Sequence, residues 1–405
     1  MVLIQPFAAL RPRPELAARI CELPYDVMSS EEARAIAGGN PLSFLHVSKP
    51  EIDLPLGTDP HADEVYAMGR ENFQRLIANG SLVRDAAPAY YLYRQVMGAH
   101  SQTGLVAAAS CEAYLHNLIK KHELTRPDKE DDRVRHIETL NAQTGPAFLI
   151  YPAVPRLDEL VTARTRQTPE ADMVAPDGVR HQAWRVSAPA DMALIDSEFR
   201  TLPCLYIADG HHRSAAAARV FRARKGAGGS ASFLAVVFPH NQVRILPYHR
   251  VLTDLNGLSP TQFLAAIGSV FAIDEAAGPT PPGKYHLGLY LDGKWHGLRF
   301  LPSIAAHADG PAEDLDVALL QKHVLAPILG IRDPRTSQRI HFVGGIRGTP
   351  ELERLVDSGE RACAFSLFPT SVRDLMSISD AGGLMPPKST WFEPKLRDGM
   401  FCHLI

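Results

Sequence analysis

A chain of 405 residues with a hydrophobic fraction of 45% holds enough apolar material for two or three domains. Its formal charge of −3, from 42 basic against 45 acidic side chains, excludes the broad basic field of a duplex nucleic-acid binder. The five cysteines, Cys21, Cys111, Cys204, Cys363 and Cys402, are odd in number and never form a C-x-x-C pair. They fit a reducing compartment and argue against a disulfide framework or a cysteine zinc site.

The opening run "MVLIQPFAALRPRP" breaks into prolines without the apolar core of a signal peptide. No apolar run approaches the ~18 residues of a membrane span. The expected location is the cytoplasm, with no membrane partner. Downstream, Ser29 or Ser30 can cap a short helix carrying Glu31 and Glu32 in its first turn and ended by Gly38-Gly39. "ADEVYAMGRENFQRLIANG" (62–80) has helical apolar spacing and an Asn-Gly stop. "AYYLYRQVM" (89–97) and "TGLVAAASCEAYL" (103–115) are expected to form an antiparallel strand pair around the turn "GAHSQ".

A charge-dense stretch follows at 118–133, after which Val134, Ile137 and Leu140 mark a helical face and "PAFLIYPAV" a strand. "HQAWRVS" reads as a strand, "PADMALIDSEFRT" as a helix, and "CLYIA", "SFLAVVFP" and "QVRILPYHRVL" as strands. From about residue 255 a separate α/β layer is expected. It contains a helix at "SPTQFLAAIGSVF", a hairpin in "KYHLGLYLDGKWHGLRFLP" with Asp-Gly at its turn, and a helix around "DVALLQKHVLAPILGI". "RIHFVGG", "PELERLVDSG", "RACAFSLFP" and "SVRDLMSISDAG" continue the alternation.

Chemistry concentrates in "CLYIADGHHRSAAAARV" (204–220). A strand ending at Asp209 and a helix rich in alanine place Gly210, His211, His212, Arg213 and Ser214 at a helix N-terminus. There the unpaired N–H groups and the positive dipole end attract anions, glycine permits close approach, and Arg213 can grip phosphate oxygens. The bland alternative is that Asp209 merely caps the helix. A histidine-based zinc site is the other sharp reading and is disfavoured, since adjacent histidines project in different directions and H-E-x-x-H spacing is absent.

A second cluster, "KKHELTRPDKEDDR" (120–133), sets Glu123 beside His122 and two lysines. Glu123 could act as a general base if a hydroxyl reached it, with Lys120 or Lys121 balancing phosphate charge. Its alternative is a solvated charge run that opens a helix. "LPYDV" (23–27) and "MPPKSTWFEPK" (385–395) combine rigid prolines with Tyr25, Asp26, Lys388, Trp391 and Lys395.

On "PYDV", "NPLSFLHVSKPE", "HELTRPDKEDDR", "YIADGHHRSAAA", "ILPYHRV", "FVGG" and "MPPKSTWFEPKL", the chain resembles a large prokaryotic family long catalogued only as a domain of unknown function. That family has a core similar to the ParB/sulfiredoxin fold and includes ATP-dependent free L-serine kinases. The resemblance implies a mixed α/β (α+β) fold with an N-terminal region over 1–110, a ParB-like core over 111–253 and a C-terminal α/β region over 254–405. It implies Glu123 as the base for a serine hydroxyl, and Asp209 assisting through the hydroxyl or Mg²⁺. Lys121, His122, Gly210, His211, His212, Arg213 and Ser214 would bind the nucleotide and its phosphate. Asp26, Lys388 and Lys395 are candidates for the amino-acid substrate.

ATP and Mg²⁺ are the implied cofactors, with ADP as an alternative donor, and O-phosphoserine the implied product. No P-loop or protein-kinase signature is present. Two competing readings are a non-catalytic nucleotide-dependent regulatory module on the same fold and a phosphoester hydrolase. A homo-oligomer stays open.

Overall fold

Runs of buried β-branched and aromatic residues build the first sheet, and they do so on both sides of residue 110. The computed structural model describes residues 1–306 and 310–405. The chain folds into two compact units, Met1–Val243 together with Pro394–Ile405, and Arg244–Glu393. The architecture is mixed α/β. Among the described residues no helix is long and apolar enough to cross a membrane.

In the first unit the sheet strands in chain order are β1 (Ile4–Gln5), β2 (Tyr90–Met97), β3 (His100–Ser110), β4 (Ile119–Lys120), β5 (Ala147–Tyr151), β6 (Ala171–Val174), β7 (Arg180–Val186), β8 (Leu205–Asp209) and β9 (Ser232–Pro239). Their spatial order is β4-β8-β5-β9-β3-β2-β7-β6, with β1 added on β3. Strand β8 runs parallel to β4 and antiparallel to β5, while β9 runs parallel to β5 and antiparallel to β3. The sheet thus draws strands from both sides of the 110/111 border read in the sequence.

The central strands β5 and β9 are buried throughout, as their unbroken apolar runs require. Gly104 of β3 lies opposite Tyr93 in β2; a Cβ there would stand 2.6 Å from Val236 Cγ1 of β9. Around the sheet lie α1 (Ser30–Ala37), α2 (Asp63–Ala78), α3 (Cys111–Leu115), α4 (Pro127–Leu140), α5 (Pro155–Arg164), α6 (Pro189–Thr201) and α7 (His211–Arg224). Helix α1 starts with a capping box in which Ser29 and Glu32 satisfy each other's backbone N–H groups.

One expected strand is cut short. Residues 111–115 form α3, because the Ser110 side chain accepts from the Ala113 N–H and caps a helix there.

The second unit carries a six-stranded sheet of β10 (Tyr248–Leu252), β11 (Phe271–Asp274), β12 (His286–Leu291), β13 (Lys294–Phe300), β14 (Ile340–Gly344) and β15 (Cys363–Leu367), ordered β11-β13-β12-β15-β10-β14. All of its pairings are antiparallel. The β12–β13 turn has Asp292 and Gly293 both at positive φ, 50° and 73°, as a two-residue hairpin of this hand requires. The helix expected over 259–271 stops at Ile267, with Gly268 at its end, and Phe271 opens β11. The helix expected around 316–331 is α-helical only over Asp316–Leu320 and becomes a π-helical turn over Gln321–Leu325.

Candidate functional site

Strand β8 delivers Asp209 and turns at Gly210 into α7. The pairing of β8 with β5 slips between Ile207 and Asp209, so a bulge re-aims the chain just before the acid. Gly210 sits at φ 94°, a left-handed conformation that a side chain resists, and a Cβ there would meet Ala147 Cα at 3.1 Å. Ala215 to Ala218 are buried, and Ala216 and Val220 pack on Ile137 of α4. The small side chains therefore hold the N-terminus of α7 close to the sheet.

The Asp209 carboxylate accepts from Lys395 Nζ at 2.9 Å and lies 3.7 Å from an Arg213 guanidinium nitrogen. Burial works against its charge, but Lys395 and Arg213 outweigh that and hold the carboxyl well below the usual carboxylate range. Arg213 donates to the Pro146 carbonyl and stands 3.8 Å from Asp26 Oδ2. Burial opposes the Arg213 charge, and Asp26 and Asp209 more than restore it.

His211 is buried, 3.8 Å through Nδ1 from Glu123 Oε2, with its ring edge-on to that of His122 at 4.4 Å. His211 Nε2 accepts from the His122 backbone N–H at 3.5 Å. Burial pushes His122 down to about 4 and His211 well below its ordinary value, so both are neutral at pH 7. The ring of His122 also bonds the Ile207 carbonyl, and its Nδ1 is buried without a partner. One ligand atom from each of His122, Glu123 and His211 lies within 4.8 Å of the others. That mixed nitrogen and oxygen set is of the kind that holds a first-row transition cation. The tertiary fold thereby assembles a constellation that local spacing does not contain.

The other residues read in the sequence fall as follows. His212 Nε2 accepts from the Arg126 N–H at 3.1 Å, and burial lowers its pKa. Lys121 Nζ stands over the Tyr114 ring at 4.1 Å, and burial lowers its pKa too. Ser214 is buried and its hydroxyl donates back to the Gly210 carbonyl at 3.2 Å, within its own helix. Asp26 is drawn to Arg213. Lys388 belongs to the second unit, where its Nζ lies 5.5 Å from the Tyr248 ring centre.

Sequence reasoning missed Arg133 and Asp398. Arg133 covers the Tyr25 ring at 3.9 Å, and both line a cavity of about 30 Å³ together with Thr144, Arg213 and Asp398. Asp398 Oδ1 is buried without a partner, and burial pushes that carboxyl up to about 7. Nothing in the local pattern around residue 398 marks it, because its environment comes from segments near 25, 133 and 213.

A family model matches residues 4–318. The chain belongs to the family described as "Protein of unknown function (DUF1015)". No curated protein sequence matches this member of DUF1015. Solved structures similar to it include a free serine kinase in complex with AMP, at 11% identity and a TM-score of 0.37, covering 71% of this chain and 86% of that one. SbnI with a C-terminal truncation, from Staphylococcus aureus, is similar at 10% identity and a TM-score of 0.40, covering 72% and 85%. A conserved hypothetical protein from Pyrococcus furiosus matches at 14% identity and a TM-score of 0.36, covering 72% and 93%.

Proposed function

We propose that this DUF1015 protein is an ATP-dependent kinase of a small hydroxylated molecule, free L-serine or a similar amino acid, on a ParB/sulfiredoxin-like core. The observation that carries the reading is Asp209: an ionised carboxylate held by Lys395 at the tip of β8, beside the N–H groups that open α7. Phosphoryl transfer asks a protein mainly for positioning and charge neutralisation, and this arrangement offers both.

In the proposed reaction Glu123 takes the proton as the substrate Oγ–H bond breaks. The Oγ attacks the γ-phosphorus, the bond from that phosphorus to the bridging oxygen breaks, and ADP leaves with the electron pair. Were ADP the donor, the β-phosphorus would be attacked and AMP would leave. The N–H groups of His211 and His212, with Gly210 leaving room for close approach, support binding of the transferred phosphate. His122 and His211, neutral in this site, place no positive charge beside Glu123 that would oppose its uptake of the proton. Arg213 balances Asp26 and Asp209 and keeps both carboxylates in place.

Mg²⁺ prefers oxygen ligands, and the ionised Asp209 carboxylate fits it; when bound it would neutralise charge on the nucleotide phosphates. The resemblance to free serine kinases in "HELTRPDKEDDR" and "YIADGHHRSAAA" supports serine as acceptor.

The test incubates the purified chain with Mg²⁺, ATP or ADP, and a panel of free amino acids, with product identified by mass spectrometry. Phosphoserine is expected, and Glu123→Gln should lower turnover by about 10²-fold or more while nucleotide binding persists. Nucleotide binding with no phosphorylated product from any acceptor would sink the proposal in favour of a regulatory module.

A further inference from the structure

The second unit carries a cavity of about 290 Å³ whose lining is not electrically balanced. Arg250 of β10 forms part of its wall and is 3% exposed. Its guanidinium donates to the backbone carbonyls of Tyr248 and Pro387 and lies 5.1 Å from the Phe342 ring centre. Among the described residues no carboxylate pairs with it, and burial pushes it down to about 9. A buried guanidinium facing only carbonyl dipoles and a ring lacks the counter-charge that ordinarily accompanies burial.

Arg332 lines the same cavity from an exposed position and forms no ion pair among the described residues. Arg335 and Asp333 neutralise each other, with Arg335 Nε and a terminal nitrogen reaching the two carboxylate oxygens at 3.0 and 2.8 Å. Two positive charges are left over. Gln321, on the π-helical turn, adds a buried Oε1 with no partner, and such turns recur at functional positions. Pro334, Pro386 and Pro387 give the remaining wall a rigid apolar surface.

We propose that this cavity binds a phosphate monoester of a small organic molecule. The dianion is neutralised by Arg250 and Arg332, and the organic part lies on the prolines. A hydroxyl or amine of the ligand donates to Gln321 Oε1. The volume lies just under the ~300–1,000 Å³ typical of small-molecule sites, as a small ligand requires. Two stretches quoted for the family resemblance, "ILPYHRV" and "MPPKSTWFEPKL", meet here through the bond from Arg250 to Pro387. The site lies wholly in the second unit and does not rest on the kinase reading.

The experiment is calorimetric titration of the full chain with phenyl phosphate, with benzoate as a monoanion of similar size. Phenyl phosphate should bind at least tenfold more tightly than benzoate. Arg332→Gln, at an exposed position, and Arg250→Gln should each weaken phenyl phosphate binding tenfold or more. Because the α7 N-terminus also attracts phosphate, dependence on these arginines identifies the site. Binding unchanged in both variants, or equal affinity for the two probes, overturns the proposal. Should Arg250→Gln fail to fold, Arg332→Gln decides alone.

Discussion

Lys395 Nζ and Asp209 Oδ2 stand 2.9 Å apart although 186 residues separate them in the chain. The contact brings the end of β8 to the C-terminal segment that returns to the first unit, and it keeps the Asp209 carboxylate charged where burial would otherwise neutralise it.

Removing one partner of such a pair leaves the other charge poorly solvated. Lys395→Met is expected to cost about 2 kcal/mol of stability at pH 7, read by urea denaturation. In Asp209→Asn the same Lys395 change should cost clearly less, because the partner charge is already gone. Equal losses in both backgrounds would show that the pair is not energetically coupled. The Asp209 pKa is depressed, so its stabilisation is present above the unfolded carboxylate value near 3.9 and is lost as pH falls through its lower folded value.

Three of the buried histidines of the first unit illustrate a second pH window. His122 and His136 are each pushed by burial to about 4, and His181 by burial, then Arg397, to about 3. The unfolded chain protonates them near pH 6.5, the folded chain only near pH 4 and below. Stability is therefore full above about pH 6.5 and falls between that value and about 4, by up to ~1.4 kcal/mol per pH unit for each histidine. Thermal unfolding followed from pH 7 to 4.5 should show this fall, with a shallower slope in His136→Gln. A flat profile would contradict it.

Gly210→Ala places a Cβ on a residue at φ 94°, 3.1 Å from Ala147 Cα. A loss of about 1–3 kcal/mol is expected. Phosphate affinity at the α7 N-terminus should fall with it, measured by titration of the folded variant. Unchanged stability would mean that the turn relaxes at no cost.

Gly104→Ala probes packing instead of backbone strain. The added methyl would stand 2.6 Å from Val236 Cγ1 and 2.9 Å from the Phe238 ring, in the middle of the sheet. Overpacking of about 1–3 kcal/mol should appear as a lower unfolding midpoint. A midpoint equal to that of the parent chain would show that β9 can yield.

Much of the fold was legible because it is local. The Ser29 cap, the helix over 63–78, the β12–β13 turn and the strand-to-helix step at Gly210 each depend on residues within a few positions of one another. The departures are local too: the Ser110 cap is hidden within a run of small apolar residues, and Gly268 ends a helix that the apolar spacing alone would carry on. The candidate site was legible in part. The run from Asp209 to Arg213 announces an anion-attracting helix start, but neither its partner Lys395 nor the meeting of Glu123 with His211 has a sequence signature.

What the sequence determined alone was the set of local conformations and the chemical types gathered near residue 209, since backbone dihedrals, caps and periodicity are written within short windows. Which carboxylate stays ionised, which histidines lose their charge and which arginine is buried without a counter-ion were decided only by tertiary structure. Those properties depend on desolvation and on charges a few ångströms away that arrive from distant segments, as Lys395 does at Asp209.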